Sequence, residues 1–485
     1  MRSTRKVGFL KIGVCCAIAM ASVASNVSAK QTDDRPNILF ILADDMGKEW
    51  VSAYGAEGIN TPNIDNLAAQ GMKFNNAWSH PQCTPSRVSL ITGQYPYRNG
   101  WVNHWDSPRW GQAYLDSNKN QSLARVMKSA GYATAAAGKW QVNDFRIEPD
   151  AMTKHGFDDY AMWTGYESGV PASAERYWNP YIHTKSGSRT YPNQFGEDVF
   201  SGFLLDFIEK KKDQPWFAYY AMNLPHGPKT TTPLKPVINT EMGKHRAMVE
   251  YADHILANML SQLEALGERE NTIIIWTTDN GTDKSVWGVR NGRKVRGGKT
   301  LTTENGINSP FIVNGPGLVP SGIITDSLVD FTDILPTFVD LAQAKVPDSY
   351  TIDGQSFAPL ILGKSQDSKR DYILSMGGKN EAQVSDKGVE NKFSYRDRVL
   401  RDKRYKLFVK ASPERGYEKL VDLHNDVEEK VNLLDSKDPE IVAAKNALIK
   451  IVEGLPDKDN DPNYTRKEKL AWDIPASVKS QVWKQ

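Results

Sequence analysis

Asn37-Ile38-Leu39-Phe40-Ile41-Leu42-Ala43-Asp44-Asp45 is a nearly unbroken apolar run that ends abruptly in two carboxylates. A run without polar alternation is typical of a strand that is buried on both faces of a parallel sheet. Similar apolar runs recur along the chain at 132–137, 216–222, 272–278 and 310–313. Together these segments predict the strands of one large sheet.

Helix-like segments separate these runs, and their ends carry typical stop signals. The segments are 61–70, which has Pro62 near its start, 121–130 and 245–266, and glycine follows directly after each of them. Strands that alternate with helices predict an α/β fold, with a large and mostly parallel central sheet flanked by helices.

The composition becomes more charged after about Gly363. Two strand-like stretches and a final helix-like stretch follow, at 395–400, 404–409 and 438–452. They predict a smaller C-terminal α+β subdomain with an antiparallel sheet and a helix. Because the chain is longer than a single core usually supports, we expect a catalytic domain over 30–363 and this subdomain over 364–485.

The first 29 residues have the features of a secretory signal peptide. Four basic residues come before an apolar run at 12–23, and the small residues of 27–29 suit a signal peptidase. No later segment approaches the roughly 20 apolar residues of a membrane span. We therefore expect a mature chain that starts near Lys30, has no membrane anchor, and is periplasmic or secreted.

The predicted leader also accounts for the positive net charge of the chain. The whole sequence has 60 Lys and Arg against 58 Asp and Glu, and removing the four basic residues of the leader leaves 56 against 58. A nucleic-acid binder usually carries a basic excess along one face. We expect no nucleic-acid partner.

Oxygen-bearing side chains follow two of the predicted strands. Asp44 and Asp45 come directly after the first strand, and Asp279 and Asn280 come directly after the strand at 272–278. Ligands of such sheets bind outside the carboxyl ends of the strands, so we expect these pairs to meet. Together they supply four oxygen ligands of the kind that Ca²⁺ accepts. Taken singly, each pair also suits an ordinary turn.

Cys83 opens the sequence Cys-Thr-Pro-Ser-Arg of residues 83–87, and the two other cysteines lie within the predicted leader. A lone cysteine in an exported chain is free, linked to a partner chain, or chemically converted. A buried structural cysteine is the plain alternative, but burial does not require the Pro and Arg that follow. Pro85 suits the first turn of a helix, and a helix that starts near Thr84 would point its free N–H groups at an anion.

The stretch from Cys83 to Gly93 reads C-x-P-S-R-x-x-L-x-T-G, and this pattern resembles the activation signature of the formylglycine-dependent sulfatases. Further motifs occur in the order of that family, namely Asp44-Asp45, the signature, Gly138-Lys139-Trp140, Pro225-His226-Gly227-Pro228, Asp279-Asn280 and Gly297-Gly298-Lys299. The resemblance covers most of the mature chain. It implies an alkaline-phosphatase-like fold and a bacterial polysaccharide sulfatase.

The resemblance also implies a modified residue and a metal ion. Cys83 would be oxidised to an aldehyde, 3-oxoalanine, by a formylglycine-generating or maturase enzyme. One metal ion, Ca²⁺ in preference to Mg²⁺, would be bound by Asp44, Asp45, the modified Cys83, Asp279 and Asn280. The metal would polarise a sulfate oxygen and lower the pKa of the nucleophile.

A sulfate ester shields its sulfur with anionic oxygens, so a nucleophile benefits from nearby cations and from a way to leave again. By resemblance, one hydroxyl of the hydrated aldehyde attacks sulfur, and the second hydroxyl then eliminates sulfate from the covalent sulfo-enzyme. Arg87 would hold the hydrate, and Lys139 and Lys299 would contact the sulfate. His226 would protonate the departing alcohol. The plain alternatives are solvated lysines and a loop histidine.

One position departs from the family pattern. The family commonly has Gly-Lys-Trp-His, whereas this chain has Gln141 after Trp140. Glutamine forms hydrogen bonds but takes no proton near neutral pH. If the usual histidine helps to regenerate the aldehyde, then His226, an aspartate of the metal site or water must replace it here.

Two features indicate the substrate class. Aromatic residues are dense between 101 and 178, including Trp101, Trp105, Trp110, Trp140, Trp163 and Trp178, although core packing is the commoner role of tryptophan. A basic loop follows the second acidic pair and contains Lys284, Arg290, Arg293, Lys294, Arg296 and Lys299. These features and export favour a sulfated carbohydrate such as ulvan, carrageenan, agar or fucoidan. A solvated loop is the plain alternative.

Two other functions fit the same motifs. A phosphoester or phosphonate hydrolase of the same superfamily would differ in releasing phosphate instead of sulfate. A non-catalytic relative that binds acidic glycans would keep Cys83 unconverted.

Overall fold

The computed structural model describes residues 1–4, 6, 8, 34–103, 114–165, 167, 170–378, 382–385, 388–411 and 416–468. Arg35–Gln485 forms one compact unit and Met1–Asp34 another. Most of the predicted leader lies outside the described residues, as do Trp105 and Trp110. Within the described residues, no helix is long and apolar enough to cross a membrane.

Strands and helices alternate along the described chain. The strands are β1 (Asn37–Ala43), β2 (Ala56–Glu57), β3 (Met72–Trp78), β4 (Ala133–Lys139), β5 (Asp159–Trp163), β6 (Tyr181–Thr184), β7 (Gly187–Thr190), β8 (Trp216–Ala221), β9 (Thr272–Thr278), β10 (Trp287–Arg290), β11 (Arg293–Arg296), β12 (Phe311–Asn314), β13 (Ile323–Asp330), β14 (Ile373–Met376), β15 (Ala382–Ser385), β16 (Gly388–Asn391), β17 (Arg398–Arg401), β18 (Tyr405–Val409) and β19 (Tyr417–Asp422). The α-helices are α1 (Pro62–Ala69), α2 (Cys83–Thr92), α3 (Pro96–Asn99), α4 (Leu123–Ser129), α5 (Ala151–Lys154), α6 (Gly196–Lys211), α7 (Glu241–Ala265), α8 (Glu304–Ile307), α9 (Ile334–Leu341), α10 (Ala358–Ile361) and α11 (Pro439–Glu453).

Ten strands form the central sheet, in the order β13-β3-β12-β9-β1-β8-β4-β5-β6-β7. The middle of this sheet, from β9 through β5, is parallel throughout. Antiparallel pairs occur towards both sides, at β12 on one side and at β6 and β7 on the other. The carboxyl ends of β9, β1, β8 and β4 therefore meet at one edge.

Strand β1 is apolar throughout because both of its faces are covered. Ile38, Phe40 and Leu42 belong to one buried cluster, whereas Leu39 and Ile41 belong to the cluster on the opposite face of the sheet. Full burial of such a side chain stabilises the fold by about 1.5–3 kcal/mol relative to exposure. The unbroken apolar pattern thus reflects packing on two sides.

The predicted elements are found with small shifts. Strands β1 and β9 have the predicted bounds, and β4 extends two residues further than predicted, to Lys139. Helix α7 starts at Glu241 and not at the predicted residue 245, because Thr240 caps it by accepting a hydrogen bond from the Gly243 amide. Strand β3 was not predicted, because its outer positions are polar.

A second sheet lies in the C-terminal part of the described chain. Strands β14, β17, β18 and β19 form it in that order, and all of its pairs are antiparallel. Helix α11 contributes Leu448 to a buried cluster that also contains Leu407 of β18. The predicted α/β fold with a C-terminal antiparallel sheet and helix is confirmed. The boundary predicted at 363/364 stays a prediction.

Candidate active site

The two oxygen-bearing pairs meet at the carboxyl edge of the central sheet. Strand β1 leads into Asp44 and Asp45, and the neighbouring strand β9 leads into Asp279 and Asn280. The Asp45 amide donates to Asp279 Oδ1 at 3.3 Å, and Asn280 Nδ2 donates to Asp45 Oδ1 at 2.7 Å. Parallel neighbours end at the same edge, which is why residues so far apart in sequence come together.

Cys83 is the first residue of α2 and is fully buried. Its Sγ lies 3.6 Å from Asp44 Oδ1. Burial raises the pKa of the thiol to about 12, so the unmodified residue is protonated at neutral pH. A protonated thiol is a poor nucleophile. The surroundings of Cys83 therefore do not suit thiolate catalysis.

Arg87 connects the acidic pairs from the first turns of α2. Its Nε and Nη2 donate to Asp279 Oδ2 at 3.0 and 2.8 Å, and its Nη1 donates to the Lys139 carbonyl at 3.1 Å. Burial alone would lower the pKa of Arg87, but the charges of Asp279 and Asp44 outweigh it and raise that pKa. Arg87 is therefore a fixed cation in a buried site.

Two lysines complete the positive charge of the site. Lys139 Nζ donates to Asp44 Oδ2, and Lys299 Nζ donates to Asp45 Oδ2, each at 2.7 Å. Burial would raise the pKa of Asp44, but Lys139 and the other nearby cations lower it well below its ordinary value. Burial would lower the pKa of Lys299, and the charge of Asp45 raises it instead. Lys299 is therefore a fixed cation.

His226 lies in the loop after β8, with its side chain 24% exposed. Its Nε2 is 3.5 Å from Asp45 Oδ2. Burial, together with the charge of Lys299, lowers its pKa to about 3, so the imidazole is neutral. Its Nδ1 lies 3.2 Å from Arg176 Nη1 and 2.7 Å from the Gly227 carbonyl. Arg176 can only donate to Nδ1, so this contact favours the tautomer with the proton on Nε2. The Gly227 carbonyl can only accept from Nδ1, so that contact favours the tautomer with the proton on Nδ1.

Arg176 is a site residue that the sequence analysis missed. Its guanidinium lies 3.9 Å from the centre of the Trp163 ring and contacts His226. No motif surrounds it, and only the folded chain brings it to the active site. Of the tryptophans noted in the sequence, Trp101, Trp140 and Trp163 are buried, which agrees with the commoner role of core packing.

The donor set of the edge fits a hard divalent cation. Asn280 Oδ1 is buried and has no hydrogen-bond partner among the described residues. Burial and the neighbouring charge of Asp44 raise the pKa of Asp279 to about 7, which shows how closely the carboxylates are packed. Ca²⁺ prefers such a mixture of carboxylate and amide oxygens.

Potential ligand atoms of four side chains lie within 4.8 Å of one another, namely those of Asp44, Asp45, Cys83 and His226. Asp279 is not in this group, because its carboxylate is turned towards Arg87 and the Asp45 amide. All nine predicted site residues nevertheless belong to one network of contacts. The role of each remains a prediction.

Gln141 follows the end of β4 closely. It is buried and has a positive φ of 74°, which is uncommon for a residue other than glycine. The departure from the family pattern therefore lies in the same buried region as Lys139.

A family model described as Sulfatase matches residues 36–344, which is more than half of the chain. The chain belongs to the sulfatase family. A second model, described as N-sulphoglucosamine sulphohydrolase, C-terminal, matches residues 298–453. The expectation of an enzyme of the sulfatase class is confirmed.

Two relatives of this sulfatase are named as sulfatases of carbohydrates. N-acetylgalactosamine-6-sulfatase of Canis lupus familiaris is 30% identical over 371 residues, which cover 70% of this chain and 68% of the relative. An ulvan-active sulfatase of Formosa agariphila is 26% identical over 494 residues, which cover 92% of this chain and 88% of the relative. The solved structure of Ps i-CgsB in complex with k-i-k-neocarrahexaose has a TM-score of 0.72 at 24% identity, covering 92% of this chain and 97% of that one. The likeness to this solved structure supports the fold described above for the chain.

The basic loop of this sulfatase forms the antiparallel hairpin of β10 and β11. Arg293, Lys294 and Arg296 are exposed on it. Trp287 is 42% exposed, and Lys294 Nζ lies 4.8 Å from the centre of its ring. No ion pair of these three basic residues occurs among the described side chains. The hairpin therefore presents a basic and partly aromatic surface to solvent.

Proposed function

We propose that this sulfatase hydrolyses sulfate esters on a sulfated carbohydrate, with an aldehyde derived from Cys83 as the catalytic group. The observation that carries the proposal is the place of Cys83 at the start of α2, against Asp44 and among fixed cations. A helix N-terminus and cations stabilise an anion in a buried site.

The charge balance of the site supports an anionic substrate. Three carboxylates and three cations make up its charged part, namely Asp44, Asp45, Asp279, Arg87, Lys139 and Lys299. These charges cancel when Asp279 is ionised. A divalent cation would leave two positive charges in excess, and a sulfate ester would then offset part of that excess.

Asp44, Asp45, Asp279 and Asn280 would hold the metal, together with the converted Cys83, and we propose Ca²⁺ because the donors are all hard oxygens. When bound, such an ion polarises a sulfate oxygen and lowers the pKa of a neighbouring hydroxyl. The orphaned Asn280 Oδ1 supports this assignment.

The remaining residues have distinct tasks in the proposed reaction. One hydroxyl of the hydrated aldehyde attacks sulfur as its proton passes to a carboxylate of the site, and the bond from sulfur to the alcohol oxygen breaks. Lys139 and Lys299 hold the sulfate oxygens. The bound sulfate ester and Asp45 favour protonation of His226, and the imidazolium gives its Nε2 proton to the departing alcohol. Arg87 holds the hydrate. His226, neutral after the first step, then takes the proton of the second hydroxyl, the aldehyde re-forms, and inorganic sulfate leaves.

A sulfated polysaccharide or its oligosaccharides is the proposed substrate class. The ulvan-active relative and the N-acetylgalactosamine-6-sulfatase relative support a sulfated sugar. The exposed cations of the β10–β11 hairpin support a polymer with several anionic groups, because such groups pair well with Arg and Lys. We further propose export to the periplasm or beyond, and maturation of Cys83 by a separate enzyme.

The first test is the mass of the tryptic peptide that contains Cys83, from protein made together with a maturation enzyme. We expect the aldehyde or its hydrate. An unmodified thiol would contradict the proposal if a control sulfatase were converted in the same cells. Release of phosphate, and not sulfate, by the converted protein would instead indicate the phosphoester hydrolase.

A second test uses Cys83→Ser, which keeps one hydroxyl but cannot form a hydrate. Serine can attack sulfur, but it has no second hydroxyl with which to eliminate sulfate. We expect no turnover and a protein mass that increases by one SO₃ group on incubation with substrate. Sustained turnover by this variant would contradict the hydrate mechanism. Cys83→Ala serves as the control, because it should gain no mass.

A further inference from the structure

The turn of the β10–β11 hairpin places two arginines directly opposite each other. Asn291 and Gly292 form this turn, with positive φ angles of 50° and 73°. Asn-Gly is a preferred pair for such a turn, because both positions require a positive φ. The turn fixes the pairing of Arg290 with Arg293. Like charges directly opposite each other destabilise an antiparallel pair, so an anion between them would relieve a cost that the hairpin otherwise carries.

A cavity of about 500 Å³ lies beside these two arginines. Arg290 and Arg293 line it from the hairpin, Lys48 lines it from the segment after β1, and residues 427–430 line it from the segment after β19. The volume is within the usual range of small-molecule sites, which is about 300–1,000 Å³. This hairpin cavity has room for an anionic group together with the sugar that carries it.

The hairpin cavity is separate from the proposed catalytic groups. A smaller cavity, of about 350 Å³, opens beside His226 and is also lined by Asp45 and Lys299. None of the described residues lines both cavities. Gly288 of β10 packs so closely on Glu49 that a Cβ atom at Gly288 would lie 2.7 Å from the Glu49 carbonyl oxygen. The hairpin is therefore packed tightly against the segment after β1.

Arg290 is held in a position that suits the binding of an oxyanion. It is half-buried, and its Nε donates to the Tyr54 carbonyl at 2.8 Å. This hydrogen bond orients the guanidinium, whereas the two Nη groups have no hydrogen-bond partner among the described residues. A guanidinium binds an oxyanion best through two parallel N–H donors. Arg290 therefore offers a prepared pair of donors.

Lys48 adds a buried charge to the same cavity. It is 5% exposed, and its Nζ donates to the Asn75 carbonyl and to Asn308 Oδ1, at 2.8 and 2.6 Å. Burial, and after it the charge of Arg290, lowers the pKa of Lys48 well below its ordinary value. A nearby anion favours the charged form of a lysine. An anion in the cavity would therefore offset the cost of this buried charge.

The four acidic residues of the cavity lining have partners of their own. Their contacts are those of Glu304 and Glu429 with Lys406 at 3.0 and 2.7 Å, of Glu428 with Lys430 at 2.8 Å, and of Glu49 with the Thr282 hydroxyl at 2.5 Å. Lys48, Arg290 and Arg293, by contrast, form no ion pair with a carboxylate of the described residues. The cavity therefore retains positive charge that no protein group compensates.

We propose that the hairpin cavity is a second, non-catalytic binding site for a sulfate-type oxyanion, which Arg290 and Arg293 hold. The charges of the cavity carry the anion assignment by themselves. The source of the anion rests on the proposed function, since a sulfated glycan brings sulfate groups other than the one that is hydrolysed. Trp287 also lines the cavity and is 42% exposed, so its ring offers an apolar face to a sugar. The glycan is therefore the proposed source, and free inorganic sulfate is the alternative.

The double variant Arg290→Gln/Arg293→Gln tests the proposal, because glutamine stays polar but removes both charges. Equilibrium dialysis with radiolabelled inorganic sulfate, at fixed ionic strength, counts the ions bound per chain. We expect the affinity of the hairpin cavity for sulfate to fall about 10-fold to 100-fold, the usual range for lost hydrogen bonds to a charged group. At sulfate concentrations that fill the wild type, the double variant should therefore bind one ion fewer, because only the catalytic site remains.

Competition with sugars identifies the source of the anion. All proteins in this experiment also carry Cys83→Ala, so that no glycan is hydrolysed. Ulvan and carrageenan oligosaccharides compete with the labelled sulfate, and unsulfated galactose oligosaccharides serve as the control. We expect a sulfated oligosaccharide to displace the additional ion at a lower concentration than unlabelled inorganic sulfate does, and the unsulfated sugar to displace none.

Stability and net charge separate anion binding from a general effect. Because Arg290 also bonds to Tyr54, Arg293→Gln alone is the second variant, and it changes only an exposed side chain. It should weaken sulfate binding and leave Tm in the absence of sulfate unchanged or higher, since it removes a like-charge pair. Lys210→Gln/Lys212→Gln is the matched control, because it removes two exposed charges outside both cavities. This control should bind sulfate as the wild type does.

Each outcome decides a separate point. Equal sulfate binding by the wild type and the double variant, or an equal loss in the lysine control, would overturn the site. Loss of the additional ion without displacement by any sulfated oligosaccharide would overturn the glycan as its source and leave a site for inorganic sulfate. Failure of the converted wild type to release sulfate from these oligosaccharides or from 4-nitrophenyl sulfate would contradict the proposed function without changing the number of ions bound.

Discussion

Arg87→Met should destabilise the protein in a way that depends on the buried acidic edge. Arg87 is 1% exposed and donates two hydrogen bonds to Asp279 Oδ2, at 3.0 and 2.8 Å. It also lies 3.8 Å from Asp44. Methionine fills a similar volume without charge, so the variant leaves both carboxylates with one cation fewer. Removal of one partner of a buried ion pair typically costs about 3–5 kcal/mol.

The cost should grow with pH. The pKa of Asp279 is already raised to about 7, first by burial and then by Asp44, and loss of Arg87 would raise it further. Near neutral pH the carboxyl group can therefore take up a proton, which limits the penalty. At higher pH the Asp279 carboxylate is ionised and lacks its cation in the folded variant, so the free energy of unfolding falls further. We expect a destabilisation of about 3 kcal/mol at pH 6.5 that approaches about 5 kcal/mol at pH 8.5.

Thermal unfolding in EDTA measures this effect, because chelation prevents a metal ion from replacing the missing charge. An unfolding entropy of about 2 cal/mol/K per residue makes 1 kcal/mol correspond to about 1 °C in a chain of this size, so Tm should fall by about 3–5 °C. Arg98→Met is the control. Arg98 makes a similar pair with Asp353 but its side chain is 35% exposed, so its loss should cost less than about 1 kcal/mol. Equal shifts for the two variants, or a shift independent of pH, would refute the reasoning.

Three further predictions concern the site and the core. Asp45→Asn should weaken Ca²⁺ binding measured by isothermal titration calorimetry and lower turnover, since it replaces a proposed carboxylate ligand with an amide; unchanged affinity would exclude Asp45 from the proposed metal site. Gln141→His should retain or increase sulfate release, and a folded, converted but inactive variant would show that the amide itself is required. Burial lowers the pKa of His80 from 6.5 to about 3, so the unfolded chain binds its proton first, and the contribution of His80 to stability should be constant above pH 6.5 and fall below it. Urea unfolding should show a shallower decline between pH 6.5 and 4 for His80→Gln, and an unchanged slope would show that other groups cause the acid sensitivity.

Several parts of the fold and site could be predicted because their signals are local. Strand β1 is apolar at every position, and this pattern arises from burial on both faces. The end of each such strand is visible as an abrupt change to polar residues, which located Asp44-Asp45 and Asp279-Asn280. The start of α2 follows from Pro85 in its first turn, and the spacing from Cys83 to Gly93 carries the family resemblance. Each of these signals lies within about a dozen residues.

Other parts depend on which segments become neighbours. Strand β3 joins the sheet between β12 and β13, although apolar and polar residues alternate only weakly in its sequence. Arg176 reaches His226 from 50 residues away, and no motif marks it. His245 looked like the first residue of a helix, and only the packing of α7 beside the loop of His226 shows that it lines a cavity.

The amino-acid sequence alone established the α/β class, the acidic edge and the sulfatase resemblance, because periodicity, strand ends and short motifs are fixed by nearby residues. Folding added the pairing of Arg87 with Asp279 across 192 positions, the neutral state of His226 and the cavity beside it. These properties depend on distance, burial and the sum of surrounding charges. Such quantities are not defined until remote segments pack together.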